Sequence, residues 1–280
     1  MVATEGPLVL VKSLAKAQAQ NFKPAKSLFV TKHLSDAFFA AGASVLESDE
    51  LADQWARTFS DLLVAELDKS WRREGVDPPL ELSAGAPNVF IGVHHPSFGG
   101  ALNENVFEIL SVIDSCDDHQ LNIMGACALA AAEADRIHIV DGANDAGVDV
   151  IGLWAKGETM GLCTCIQSKA YADKLAAQHV EQAMDAYLTG TMKPMWNTYR
   201  SVLGVDLLPG LARVFVIVSK GGFGETGFDA GRRMGAACIG PRRLAVMISS
   251  KFTASELQLR LDRLSGLPRD PKRNLVVYLN

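Results

Sequence analysis

RIHIVDGANDAGVDVIGLWAKGETMGLCTCIQSKAY, residues 136–171, is the stretch whose reading decides the fold. It holds three apolar runs rich in β-branched residues, Ile137–Val140, Val148–Trp154 and Leu162–Ile166. A Gly/Asn/Asp turn separates the first two, and Lys-Gly-Glu the last two, so the pattern predicts three consecutive antiparallel strands, a β-meander. Polar residues sit on this scaffold at defined places. Asp149 lies inside the second run, and Gln167-Ser168-Lys169 closes the third. Residues two apart on a strand face the same side, so Gln167 and Lys169 point together, and pairing of the strands can bring Asp149 beside them.

A carboxylate with one further side-chain oxygen is the hard-oxygen set that Mg²⁺ accepts while keeping several waters, and a nearby ammonium can activate water or steady developing negative charge. Asp145-Ala146-Gly147-Val148-Asp149, followed after a hairpin by Gln167-Ser168-Lys169, resembles the D-G-G-[IV]-D … Q-x-K signature of Mrr-like restriction endonucleases in the PD-(D/E)XK nuclease superfamily. Further on, Val214-Phe215-Val216-Ile217-Val218-Ser219-Lys220-Gly221-Gly222-Phe223, then a helix carrying Ala230, is similar to the family's later strand and its Thr/Ser-Ser-Gly-Phe-like turn. The likeness covers roughly residues 120–250. It implies a restriction-endonuclease-like α/β core with a mixed central sheet flanked by helices, in the order α-β-β-β-α-β-α-β. It also implies metal-dependent hydrolysis of phosphodiester bonds in double-stranded DNA: Asp149 and Gln167 hold Mg²⁺, with Mn²⁺ able to substitute, and Lys169 orients or helps deprotonate the attacking water. Gln167 stands where the commoner residue is Glu. A metal-facing oxygen is kept and one charge is lost, which shifts the demand on metal affinity to Asp149 and to backbone or water ligands. The helix before the meander departs from the family pattern. It offers Asp117, Asp118 and Gln120 instead of the usual Phe-Glu pair, while Glu104, Glu108 and Glu133 lie further off or nearer, and no second acidic ligand is assigned.

The 280 residues, 48% hydrophobic and 21% charged, suffice for one large domain or two small ones with a sizeable core. No apolar run approaches the roughly 18 to 20 residues that cross a bilayer, and the start, MVATEGPLVLVKSLAKAQAQ, has no signal-peptide layout. A soluble, intracellular, cytoplasmic protein is therefore expected. Five cysteines, mostly inside apolar segments, fit reduced buried thiols better than a disulfide framework. The net charge of −5 conceals an asymmetry: residues 1–189 carry 13 Lys/Arg against 26 Asp/Glu, and residues 190–280 carry 14 against 6. Phosphate neutralisation is done by the groups in contact, so Lys220, Arg232, Arg233, Arg242 and Arg243 are DNA-binding candidates. The plain alternative is a solvated basic surface.

Along the chain, helices are expected in the first 45 residues. A long amphipathic helix starting at Ser48 follows, with Leu51, Trp55, Phe59, Leu62, Leu63, Leu67 and Trp71 on one stripe. Gly75–Asn88, with Pro78, Pro79, Gly85 and Pro87, reads as a boundary or a long crossing loop; taken as a boundary it gives a mainly helical N-terminal region at 1–88 and the restriction-endonuclease-like catalytic domain at 89–280. Val89–Val93 reads as a strand that joins the central sheet, with His94-His95 in the turn after it. Helices are expected over 104–113, 120–134, 173–188, 226–235 and 253–264, and strands over 213–218 and 244–248.

Each member of the trio has an ordinary alternative, Asp149 capping a loop and Lys169 an exposed strand lysine. For the whole chain the rivals are a catalytically decayed DNA-binding or scaffold protein on the same fold, and a junction-resolving or transposon-processing nuclease. One site cuts one strand, so a double-strand break needs two sites of opposite polarity, most simply in a homodimer. The Met192, Met195, Trp196, Tyr199 segment and the Leu257, Leu261, Leu264 stripe either offer apolar surface for its interface or cover the sheet within one subunit.

Overall fold

The structure, a computed structural model, describes residues 5–21, 27–92, 104–140, 147–156, 160–190 and 210–265. The chain divides into two units, Met1–Glu104 and Asn105–Asn280.

In the first unit, α1 (Glu5–Asn21), α2 (Val30–Ala40) and α3 (Val45–Ser70) bury facing stripes. These are Val11, Ala15 and Ala19, then Val30, Leu34 and Phe38, then Ala52, Ala56, Phe59, Leu63 and Leu67. The three-to-four spacing puts each set on one helix face. Trp71, fully buried, donates from Nε1 to the Ala19 carbonyl at 3.1 Å and ties the end of α3 to α1. Helix α3 begins three residues before the expected Ser48. Ser44 is its N-cap, in a reciprocal box with Glu47, and Ser48 lies buried inside the first turns. Gly75–Asn88 is not a linker. After a 3₁₀ turn (Arg72–Glu74) it carries β2 (Leu80–Ser83), which pairs antiparallel with β3 (Ala86–Gly92), and β3 pairs on its other side with β1 (Leu28–Phe29). The strand expected at Val89 therefore belongs to this separate three-stranded sheet and does not extend the central one. The division between the two compact units falls at 104.

The second unit opens with α4 (Glu104–Ser115) and α5 (Asp118–Ala131), the latter capped reciprocally by Asp117 and Gln120. The meander forms as the sequence implies: β4 (Arg136–Ile139), β5 (Val150–Lys156) and β6 (Met160–Lys169) pair antiparallel. Then α6 (Ala177–Gly190) leads to β7 (Gly210–Ser219), and α7 (Glu225–Met234) leads to β8 (Ala236–Ile239). Both β7 and β8 join in parallel, giving a mixed sheet in the order β4-β5-β6-β7-β8. The fold class is thus mixed α/β with a central sheet flanked by helices, in the α-β-β-β-α-β-α-β order expected. One strand was misplaced by the sequence reading. Leu244–Ile248 lies in a helix, α8 (Pro241–Ser249), with Pro241 at its first position, and the strand is the shorter Ala236–Ile239.

Two helical layers cover the sheet. Cys163, Cys165, Phe215 and Ile217 face α6, where Tyr187 stacks on Phe215 at 4.2 Å between ring centres. On the other face, Ile166 and Val150 lie within 3.7 Å of a Cβ built at Gly125, so the small residues of α5 let helix and sheet approach closely. Helix α9 (Ala254–Ser265) buries Leu257, Leu261 and Leu264 inside this unit, so of the two readings of that stripe it is cover within the subunit, not spare surface. All five cysteines are free thiols; burial pushes Cys127 up to about 12. Among the described residues no helix is long and apolar enough to cross a membrane.

Candidate active site

Gly147 sets up the entry to β5. Its φ is +73°, which favours glycine, and a Cβ there would lie 2.6 Å from the Ala186 carbonyl carbon of α6. Two residues on, the Asp149 amide donates to the Ile166 carbonyl at 2.8 Å, and Asp149 Oδ2 accepts from the Ser168 amide at 2.7 Å. The carboxylate is therefore seated on the β6 backbone between Gln167 and Lys169. The three residues that the sequence reading singled out come together at one end of the sheet.

Their environments differ. Asp149 and Lys169 are half-buried. Gln167 is 7% exposed, and its Oε1 has no hydrogen-bond partner. A buried amide oxygen without a donor is costly, about 1–3 kcal/mol, unless something else meets it. Strand alternation puts Gln167 and Lys169 on the face of Cys163 and Cys165, toward α6.

A carboxylate that the sequence left unassigned also reaches this corner. Asp118, in the first turn of α5, accepts from the Ala170 amide through Oδ1 at 3.3 Å, one residue past Lys169. The signal was present in the sequence as an acid in a first helical turn, but only the docking of α5 across the sheet selects it over Asp117 and the glutamates. Asp145 and the His94-His95 pair lie outside the described residues, as does the Met192–Tyr199 segment.

The parallel strands β6, β7 and β8 all end at this edge, and α6, α7 and α8 each begin after the strand that precedes them. The start of α5 reaches the same edge through Asp118. Helix starts carry unpaired amides and positive partial charge; those of α7 and α8 have no side-chain cap and favour an anion here, whereas Asp117 and Gln120 already cap α5.

The basic candidates separate along the sheet. Lys220 follows β7 at this edge; its ammonium donates to the Cys116 carbonyl at 2.9 Å, and its amide to the Lys169 carbonyl at 3.1 Å. One of its donors thus fastens the α4–α5 turn. Arg242 and Arg243 occupy the first turn of α8, again at this edge, where a cation opposes the helix dipole and an anion would relieve it. Arg232 and Arg233 stand in the last turn of α7, roughly 15 Å of helix away toward the far edge. They pair there with Asp229 at 2.6 Å and Glu181 at 3.6 Å. The sequence joined the two pairs in one basic face; the strand-helix-strand path of the chain parts them.

No family model matches the sequence, and no curated protein matches it. A solved structure, that of the MspJI restriction endonuclease in complex with a 27-mer oligonucleotide, is similar over 79% of this chain at 14% identity, with a TM-score of 0.38. This chain spans 46% of that protein, and the likeness is too slight to argue from.

Proposed function

We propose that the second unit is a metal-dependent DNA endonuclease of the Mrr-like, PD-(D/E)XK kind, acting in restriction or defence. The observation that carries this reading is the seating of the Asp149 carboxylate on the Ser168 amide, between the orphaned oxygen of Gln167 and the ammonium-bearing Lys169. The convergence of helix starts at the same edge supports an anionic substrate.

The donor set fits Mg²⁺. Among the described residues no three His, Cys, Asp or Glu side chains gather into a metal cage. Mg²⁺ is usually held by one or two carboxylates with several waters kept, and the buried Gln167 Oε1 is an oxygen in want of a partner. Asp149 and Gln167 would hold the ion, with Asp118 a further carboxylate at this edge and Mn²⁺ a fitting substitute. When bound, it supplies positive charge against the scissile phosphate and acidifies water. Lys169 orients the attacking water and stabilises negative charge at its own end of the site. The phosphate backbone follows the edge marked by Arg242 and Arg243. A double-strand break by this chemistry needs two copies, and a two-fold homodimer supplies them.

A second reading is favoured by the replacement of the usual glutamate with Gln167 and by the unassigned second acidic ligand: a DNA-binding protein whose site has decayed. One assay separates the two. Plasmid nicking by purified protein that requires Mg²⁺, on methylated and unmethylated DNA, and that vanishes in Asp149→Ala supports the endonuclease. Retention of duplex in a gel shift with no cleavage under any divalent ion supports the decayed site.

A further inference from the structure

We infer that Ser219 is a positioning residue for the Lys169 ammonium, an inference that rests on the endonuclease reading for its catalytic consequence. Lys169 and Ser219 are directly paired in the parallel register of β6 and β7, so their side chains leave the sheet on the same face as neighbours. Ser219 is fully buried, and its Oγ has no hydrogen-bond partner. Among the described residues the Lys169 ammonium likewise has no hydrogen-bond or ion-pair partner. An unmet buried acceptor and an unengaged three-proton donor therefore stand side by side on adjacent strands. The two do not bond in this structure; a rotamer of Lys169 that swings its ammonium toward β7 would let each relieve the other, since the hydroxyl offers two lone pairs, the ammonium has three N–H groups, and a charge-assisted contact is about twice as strong as a neutral one.

Gln167 Oε1 is the other orphaned oxygen on this face, two residues before Lys169. In the reading above that oxygen meets the cation, which leaves Ser219 Oγ to the lysine. The ammonium, drawn toward β7, is held off the cation while its remaining protons face the water or the phosphate. The site is thus completed from β7, a strand that the Asp149, Gln167, Lys169 trio does not include. Backbone geometry fixes the hydroxyl in place: Ser219 ends β7, its carbonyl accepts from the Gly222 amide, and the following Lys220 amide is bonded to the Lys169 carbonyl.

The test is a double-mutant cycle on the full chain, read by denaturant midpoint, with Ser219→Ala, Lys169→Met and the two combined. Burying a hydroxyl with no partner is unfavourable, so if Ser219 acts alone its replacement by alanine leaves the midpoint unchanged or raises it in both backgrounds. The expected result is a lowered midpoint in the presence of Lys169 and no loss in Lys169→Met. Equal effects in both backgrounds overturn the inference. Ser219→Cys keeps the volume and weakens the acceptor; it is expected to fall between serine and alanine, and it carries the cycle if the alanine variant does not fold. In the cleavage assay Ser219→Ala is expected to lower kcat roughly 10- to 100-fold with KM unchanged. Coupling between the two sites in a protein that cleaves nothing supports the contact and overturns the nuclease alone. Cleavage that is indifferent to Ser219, without coupling, overturns the contact alone.

Discussion

At the scale of single residues, the site depends on small features of the β5–β6 hairpin and of the turns behind it. If Gln167 faces the cation, Gln167→Glu restores a charge to it. Cleavage should then shift in its preference between Mg²⁺ and Mn²⁺, and an unchanged metal profile would reduce Gln167 to a packing role. Asp149→Ala and Lys169→Ala are expected to abolish Mg²⁺-dependent cleavage while the circular-dichroism spectrum stays that of the folded parent; full activity in either ends the assignment. Beside the Lys220 turn, where Gly222 takes a left-handed φ of +76°, two further glycines are explained by close approach. A Cβ at Gly227 would collide with the Leu175 carbonyl, which the Gly224 amide already engages, and one at Gly221 would strike the Asp173 carbonyl. Gly227→Ala should therefore cost about 1–3 kcal/mol of stability, measurable by urea denaturation.

At the scale of elements, the packing of α2 on α3 carries a titrating group. The His33 ring lies 5.6 Å from that of Phe59, and its Nε2 is buried without a partner. Burial holds the imidazole below its ordinary value, against a smaller opposing pull from Asp36. The folded state thus binds a proton less readily than the unfolded state, whose histidine titrates near about 6.5. Stability from the neutral ring is present above that pH and is lost as pH falls through the lowered folded value. Unfolding midpoints followed between about pH 7.5 and 5 should decline on the acid side, and His33→Leu should flatten the decline. A slope that survives the substitution would assign it to other groups. Elements also explain where the sequence reading strayed. Leu244–Ile248 is a five-residue apolar run that a strand and a buried helix share, and Gly240-Pro241 ahead of it was the helix start that should have decided the matter. Ala236–Ile239 is so short and small that nothing in its own residues announces a strand; pairing with β7 makes it one.

At the scale of the whole molecule, the parting of the two arginine pairs gives a direct expectation for DNA binding. Arg242→Glu with Arg243→Glu should weaken binding to all sequences alike and flatten its salt dependence. The same reversal at Arg232 and Arg233, toward the opposite edge and engaged with Asp229 and Glu181, should change little. Equal effects from both pairs would return the whole basic face to the binding surface. For the proposed homodimer one of the two candidate surfaces falls away, because α9 buries its leucine stripe within the subunit. Light scattering at micromolar protein, with and without duplex, measures the assembly. A strict monomer that linearises plasmid in one step would remove the two-copy requirement.

The sequence by itself determined the meander, the order of elements around it and the trio on its last two strands. Each of those rests on local chemistry: β-branched runs between turn residues, side chains alternating along a strand, and a hairpin short enough to fix its own register. What only the tertiary structure decided is whatever depends on segments far apart in the chain. The pairing of β3 with Leu28–Phe29 moved a strand from one sheet to another. The docking of α5 brought Asp118 to Ala170, and the parallel register of β6 and β7 set Ser219 beside Lys169. Such contacts are selected by the burial of whole faces against one another, a property that no window of neighbouring residues contains.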